Sequence, residues 1–382
     1  MLDYEVLRFI WWILIGVLLI GFAITDGFDM GVLTLLPVVG KSNVERRVMI
    51  NSIAPHWDGN QVWLLTAGGA IFAAWPTVYA ASFSGFFLAM ILVLAALFFR
   101  PVGFEYRAKI DDQKWRNAWD WGLFVGGFVP SLIFGVAFGN LLQGVPFHFN
   151  ELNQVTYEGS TLWKLLGLLN PFALLCGVVS LMMLTTQGAT WLQMKTTGEL
   201  RNRVRNVAQV TALVALGAFL LAGVWVYFKD GFVVTSVLDH NAQSTLVNKT
   251  VVLESGAWFK NYFEMPVLFI IPGLAVIGAL GTVVGSKANN GGLAFLCSSI
   301  MQAGVILTAG VAMFPFVMPS ITHPEMSLTM WDATASHNTL MIMFVVACIF
   351  VPIVLAYTVW TYFKMFGRLD AKYIEEKSAS LY

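Results

Sequence analysis

The chain reads as an all-α integral membrane protein of nine transmembrane helices, with its N-terminus outside and its C-terminus in the cytoplasm. Three observations predict this. The 382 residues are 58% hydrophobic and only 12% charged, with a mean hydropathy of +0.73. A soluble domain is about one quarter charged. The apolar residues fall in runs of the ~20 residues that a helix needs to cross the hydrocarbon core. Lys and Arg are sorted to one side of those runs.

The predicted spans are 9–36, 51–75, 78–99, 119–141, 165–188, 207–228, 263–285, 291–317 and 336–362. They read as helices because strands in lipid must close into a barrel, whose segments are short and alternate in polarity. The first span lacks a basic leader and a small-residue cleavage site, so it reads as a retained helix rather than a signal peptide. One set of loops holds 17 basic residues: Lys41, Arg46, Arg47, Arg100, Arg107, Lys109, Lys114, Arg116, Lys195, Arg201, Arg203, Arg205, Lys287, Lys364, Arg368, Lys372 and Lys377. The other set holds five: Arg8, Lys164, Lys229, Lys249 and Lys260. The positive-inside rule places the richer set in the cytoplasm. Trp11, Trp12, Trp75, Trp163, Trp225, Trp258 and Trp360 lie near span ends, as an aromatic belt would.

Several function classes are excluded. Net charge is zero, which gives no sign of nucleic-acid binding. There is no P-loop, no GxGxxG after a strand and no HExxH. Cys176, Cys297 and Cys348 lie in apolar runs without CxxC spacing, so neither a disulfide nor a metal site is expected.

Chemistry is expected where ionisable groups enter the membrane, since a charge at bilayer depth costs ~3 kcal/mol on insertion scales. The first span contains Thr25-Asp26-Gly27-Phe28-Asp29-Met30-Gly31. At 1.5 Å per residue, Asp26 lies about 27 Å along, in the cytoplasmic half. Asp26 and Asp29 share a helix face, and Gly27 and Gly31 permit close helix approach. The second span contains His56-Trp57-Asp58-Gly59-Asn60-Gln61-Val62-Trp63, which puts Asp58 at a similar depth. These groups suit a proton uptake route. The competing structural reading is an ion pair of Asp29 or Asp58 with Arg100. Arg100 and Asp120, at span ends, are expected to snorkel. Asp332, before the ninth span, is expected to cap its helix. The long outer segment around 229–262 is either a surface-lying stretch or a plain connector. Of the five histidines, four lie in outer loops or, like His337, at an outer span end, and only His56 sits further inside a span, so several haems are not expected to be held by this chain alone.

Ile50-Asn51-Ser52-Ile53-Ala54-Pro55-His56-Trp57-Asp58-Gly59-Asn60-Gln61-Val62-Trp63 resembles the signature of subunit II of the cytochrome bd ubiquinol oxidases. So do Thr25–Gly31, Phe98-Phe99-Arg100-Pro101-Val102-Gly103-Phe104, the run Phe138–Phe147, Phe314-Pro315-Phe316-Val317-Met318-Pro319-Ser320 and Leu328-Thr329-Met330-Trp331-Asp332. The likeness runs through essentially the whole chain and is most similar to the proteobacterial form. It implies two four-helix bundles, here 1–142 and 163–317, plus a peripheral ninth helix at 336–362. It also implies a similarly folded subunit I as partner, small single-span accessory peptides, and residence in the bacterial inner membrane. The partner would carry haem b558, haem b595 and haem d. The complex would reduce O2 to water with electrons from ubiquinol, taking protons from the cytoplasm and so generating proton-motive force. By position, Asp58 matches the proton-route carboxylate, with Asp26, Asp29 and His56 as further candidates. Trp63 matches the oxygen conduit, and a structural ubiquinone is placed near Trp57 and Arg100. No metal ligand is expected in this chain.

Two other readings compete. A proton-coupled transporter would show inverted repeats with broken helices at midplane; no such pair of spans is visible, and the acidic groups cluster in the first half. A packing subunit with no part in proton movement would leave Asp58 dispensable.

Overall fold

The computed structural model describes residues 2–157, 161–245 and 249–376. Lys377 and the side chains of Trp163 and Lys164 lie outside what is described.

The first helix, α1, runs Tyr4–Val39 and exceeds the predicted span at both ends. The second predicted span is two helices, α2 (Asn43–Ile53) and α3 (Trp57–Ala74). Ala54, Pro55 and His56 separate them, and Pro55 has no N–H to continue the ladder. Ser42 and Glu45 form a reciprocal capping box that starts α2. The third span divides into α4 (Pro76–Gly85), α5 (Phe87–Leu97) and α6 (Phe99–Tyr106). Then comes α7 (Gln113–Gln143). The predicted fifth span does not begin at residue 165. A short α8 (Thr161–Leu168) precedes α9 (Pro171–Lys195). Asn170 caps α9 through Ala173 N, and Pro171 occupies its first turn, a pre-set helix start. The remaining helices are α10 (Gly198–Tyr227), α11 (Lys260–Glu264), α12 (Ile270–Lys287), α13 (Gly291–Met313), α14 (His337–Lys364) and α15 (Ala371–Glu376).

Eight helical stretches are long and apolar enough to cross a membrane, among the described residues. Of the predicted spans, the one missing from that set is α3, whose first turns hold Asp58, Asn60 and Gln61.

In the core, α1 packs on α3, α7 and α9; α9 packs on α10 and α13; and α12 packs on both α10 and α13. The central crossing of α1 and α9 has Gly31 against Gly188, so close that a Cβ on either would collide with the other's backbone. By contrast α14 touches only α1 and α3 to any extent, and Leu340 is its one buried residue.

At the end where α1 starts, three small antiparallel hairpins close the molecule: β1 (Phe147–Phe149) with β2 (Val155–Tyr157), β3 (Asp230–Val234) with β4 (Val251–Ser255), and β5 (Phe316–Met318) with β6 (Leu328–Thr329). The 229–262 segment is thus more than a plain connector: its described residues hold the β3–β4 hairpin. Its Trp258 is fully buried, with Nε1 donating to Leu142 O at 3.0 Å. Trp258, Trp11 and Trp75 are buried in the protein rather than arranged as a belt.

A knot of hydrogen bonds ties this end together. Arg8 donates to Thr334 Oγ1 (2.9 Å), His240 O (2.6 Å), Ala242 O (3.0 Å) and Ser244 Oγ (3.0 Å). Tyr4 Oη donates to Ala335 O at 2.6 Å. Asp332 does not cap α14, a role taken by Ser336 through Thr339 N. It instead accepts from Thr329 N at 2.8 Å and pairs with Lys249 at 2.5 Å.

Candidate functional site

The opposite end, where α1 finishes, carries the basic loops. Just inside it, α1 presents Asp26 and Asp29 to the interior, both with no solvent exposure. Arg100, at the start of α6, is also fully buried. Its Nη1 donates to Asp26 Oδ1 at 2.7 Å, and its Nε to Gly126 O on α7 at 3.1 Å. Arg100 therefore does not snorkel: its partners lie inward, and α6 directs it there. The ion pair joins Arg100 to Asp26, not to Asp29 or Asp58. Asp29 instead accepts from Asn60 Nδ2 at 2.7 Å. Asn60 Oδ1 in turn accepts from the Tyr362 hydroxyl of α14 at 2.5 Å.

His56 closes the group. Its ring stacks on Tyr362 at 4.4 Å and meets Trp191 edge-on at 6.1 Å. Phe28 stacks on Trp191 at 4.0 Å. An aromatic floor of Phe28, Trp191, Phe295 and Tyr362 thus lies beneath the carboxylates. Three polar atoms in the group are buried without a partner: Asp26 Oδ2, Asp29 Oδ1 and Arg100 Nη2. Buried polar atoms are normally paired, so these mark places for water or a small polar ligand.

Asp58 is separate from this group. It lies on the exposed side of α3, while Asn60, two residues on, points inward to Asp29. Val62, Leu65 and Phe72 are 49%, 68% and 60% exposed and continue the face that Asp58 begins. Trp57 packs on Phe104, with ring centroids 5.4 Å apart. Trp63 leans on Gly21 of α1, where a Cβ would come within 2.5 Å of its ring. Beside it an apolar cavity of about 710 Å³ is lined by Leu19, Phe22, Leu64, Phe134, Phe172 and Tyr262 among others.

Asp120 is not a snorkelling end either. Arg107 grips it with Nε at 2.5 Å and Nη2 at 3.2 Å, and Arg46 adds 2.6 Å, which locks α2, α6 and α7 together at the basic face. Beyond the spans Glu45 pairs with Arg203. Burial works to raise the Glu45 carboxyl, but the bonds from Arg203 and from the N–H groups of Lys41 and Ser42 outweigh it and hold it below the ordinary glutamate range.

Sequence reasoning missed Asn60 as the partner of Asp29 and Tyr362 as the partner of Asn60. Asn60 lies four residues from His56 and so on the same helical face, a spacing visible in the sequence; Tyr362, more than 300 residues away, gave no signal.

His56 is engaged in its aromatic stack, His148 lies beside His323, His240 bonds Glu5, and His337 bonds Leu2 O. No group of three or more His, Cys, Asp or Glu side chains converges among the described residues.

These features define a polytopic helical protein that keeps an arginine and two aspartates in an apolar interior. Residues 7–365 match the profile of the cytochrome bd terminal oxidase subunit II family, and the chain belongs to that family. It is 68% identical to the probable cytochrome oxidase subunit 2 of Haemophilus influenzae, with 100% of each chain covered. It is 61% identical to the cytochrome bd-I ubiquinol oxidase subunit 2 of Escherichia coli K12, again over 100% of each. Its fold is similar to that in the structure of bd oxidase from Geobacillus thermodenitrificans (TM-score 0.66, 14% identity, 95% of this chain and 100% of that one).

Proposed function

We propose that this chain is the haem-free subunit of a cytochrome bd-type quinol oxidase in the bacterial inner membrane. It pairs with subunit I and small single-span peptides, and it is inactive alone. Haem b558, haem b595 and haem d on the partner supply the chemistry that reduces O2 to water with electrons from ubiquinol. This chain supports that partner and brings protons and dioxygen to it, so that proton uptake from the cytoplasm generates proton-motive force. In this reading α3 is the ninth crossing, the N-terminus is periplasmic and the C-terminus cytoplasmic. One four-helix bundle falls within 1–142 and a second within 163–317, and α14 is peripheral. The meagre burial of α14 supports that last assignment.

The observation that carries the reading is the position of Asp58. A carboxylate on an exposed, otherwise apolar face of a bilayer-depth helix costs ~3 kcal/mol against lipid. A partner that covers the face with polar groups or water removes that cost. Asp58 then receives cytoplasmic protons at the subunit boundary. Asp29, Asp26 and His56 form the inner branch, with Asn60 and Tyr362 holding Asp29 in place. The partnerless carboxylate oxygens give water a site beside each acid. Trp63 and the apolar cavity beside it suit dioxygen, which partitions into apolar volume. In this reading Trp57 and Arg100 would be the residues that hold a structural ubiquinone.

The test is Asp58→Asn in the purified complex. Ubiquinol-driven oxygen consumption falls while the reduced-minus-oxidised haem spectrum is unchanged. An unaltered turnover rate would remove Asp58 from the proton route.

A further inference from the structure

A second site lies at the basic face, away from the carboxylates. A pocket of about 450 Å³ opens there, lined by Gln193 of α9, Arg201 of α10, Asn290 and Gly291 at the start of α13, and Phe366 and Arg368 beyond α14. We propose that it recognises phosphate and holds the headgroup of an anionic phospholipid from the leaflet on the basic side.

Arg201 is fixed in place before any ligand arrives. Its Nε donates to Gln193 O and its Nη2 to Asn289 O, each at 3.0 Å, and neither bond uses Nη1. Arg368 and Arg205 lie close enough to act on Arg201 as like charges. None of the three is joined to a carboxylate among the ion pairs of the described residues. The nearby Asp370 uses Oδ1 on Tyr373 N and forms no such pair. Arg205 Nε is buried without a partner. Among the described residues no carboxylate pairs with these guanidiniums, of which Arg201 and Arg368 line the pocket, and a phosphate matches the guanidinium fork. Gly291 and Gly292 line the same pocket at the positive end of α13, whose N-cap Asn290 accepts from Leu293 N.

The surroundings favour a lipid over free phosphate. Phe366 lines the pocket and is 68% exposed, and Leu293 and Leu296 on the first turns of α13 are 42% and 58% exposed. An acyl chain below the headgroup covers such a surface; inorganic phosphate leaves it bare. Basic pockets between helices on the cytoplasmic side are where anionic headgroups bind.

The experiment uses the whole complex, delipidated in detergent and heated with added phosphatidylglycerol, phosphatidylcholine or inorganic phosphate. Phosphatidylglycerol raises the unfolding midpoint and phosphatidylcholine raises it less. Arg368→Gln, at an exposed position with no side-chain hydrogen bond among the described residues, weakens the phosphatidylglycerol response about fivefold in apparent affinity. Arg201→Gln does the same, and Arg201→Lys restores part of it. Native mass spectrometry of Arg368→Gln shows fewer retained anionic lipids than the parent complex. Equal responses to the two lipids, or an undiminished response in Arg368→Gln, would overturn the site. A response matched by inorganic phosphate would overturn the lipid as its source.

Discussion

Removing one member of the Asp26–Arg100 pair should cost far more than removing both. Arg100→Met deletes the 2.7 Å bond to Asp26 and the 3.1 Å bond to Gly126 O. It leaves Asp26 with no donor to either oxygen, because Oδ2 already has none. Asp26→Leu strands Nη1 beside the already partnerless Nη2. Both side chains have 0% exposure, so solvent does not soften either loss. Breaking a buried pair from one side costs ~3–5 kcal/mol. Gly126 O loses its side-chain donor in Arg100→Met, adding about 1 kcal/mol to that variant. The double variant places two apolar side chains in an apolar interior, and such replacements are often near neutral. The assay is equilibrium unfolding of the purified complex in mixed detergent micelles, followed by circular dichroism, as a double-mutant cycle. The expected coupling is several kcal/mol, with the double variant more stable than either single one. Additive losses, or single losses below ~1 kcal/mol as for a surface pair, would refute the reasoning.

Three further outcomes follow from the packing and charge. Gly188→Ala forces a methyl onto the backbone of Gly31, which cannot swing aside, and should cost ~1–3 kcal/mol by overpacking; Gly217→Ala, with open space around it, is the control, read by the same unfolding assay. Tyr362→Phe removes the hydroxyl that donates to Asn60 Oδ1 and leaves a buried acceptor bare, a loss of ~1–3 kcal/mol in thermal unfolding. Glu45 has a carboxyl held below its ordinary range. Its contribution is therefore full above the unfolded-state value and is lost as pH falls through the lower folded one. A melting-midpoint series from neutral pH to about pH 3 should fall less steeply for Glu45→Gln.

The long helices were legible because lipid imposes a single demand, apolar length, that each segment meets alone. The breaks within them were not. Pro55 sat in plain view, but the division at Asn170-Pro171 was hidden because apolar residues continue on both sides of it. Asp26 and Asp29 were legible as interior groups, and both side chains are fully buried. Their partners were not, because Arg100 lies at a span end, and only the direction of α6 sends it inward to Asp26 rather than outward to water. Asp58 shows the same limit: spacing sets its depth and its helical face, but which way that face turns depends on how α1 and α14 pack against α3. The terminal hairpins gave no periodic signal at two to five residues per strand.

The Arg8 knot gives the chain an order of completion. Arg8 emerges with the first helix, yet every acceptor that satisfies it is made much later, at residues 240–244 and 334. Until those residues arrive, α1 carries an uncommitted guanidinium at the membrane boundary. Its final seat exists only once the segment before α14 has been threaded. The segment just before α14 therefore completes the fastening of α1. A chain truncated before residue 334 keeps the acceptors at 240–244 but leaves Arg8 Nε without Thr334 Oγ1 and Tyr4 Oη without Ala335 O.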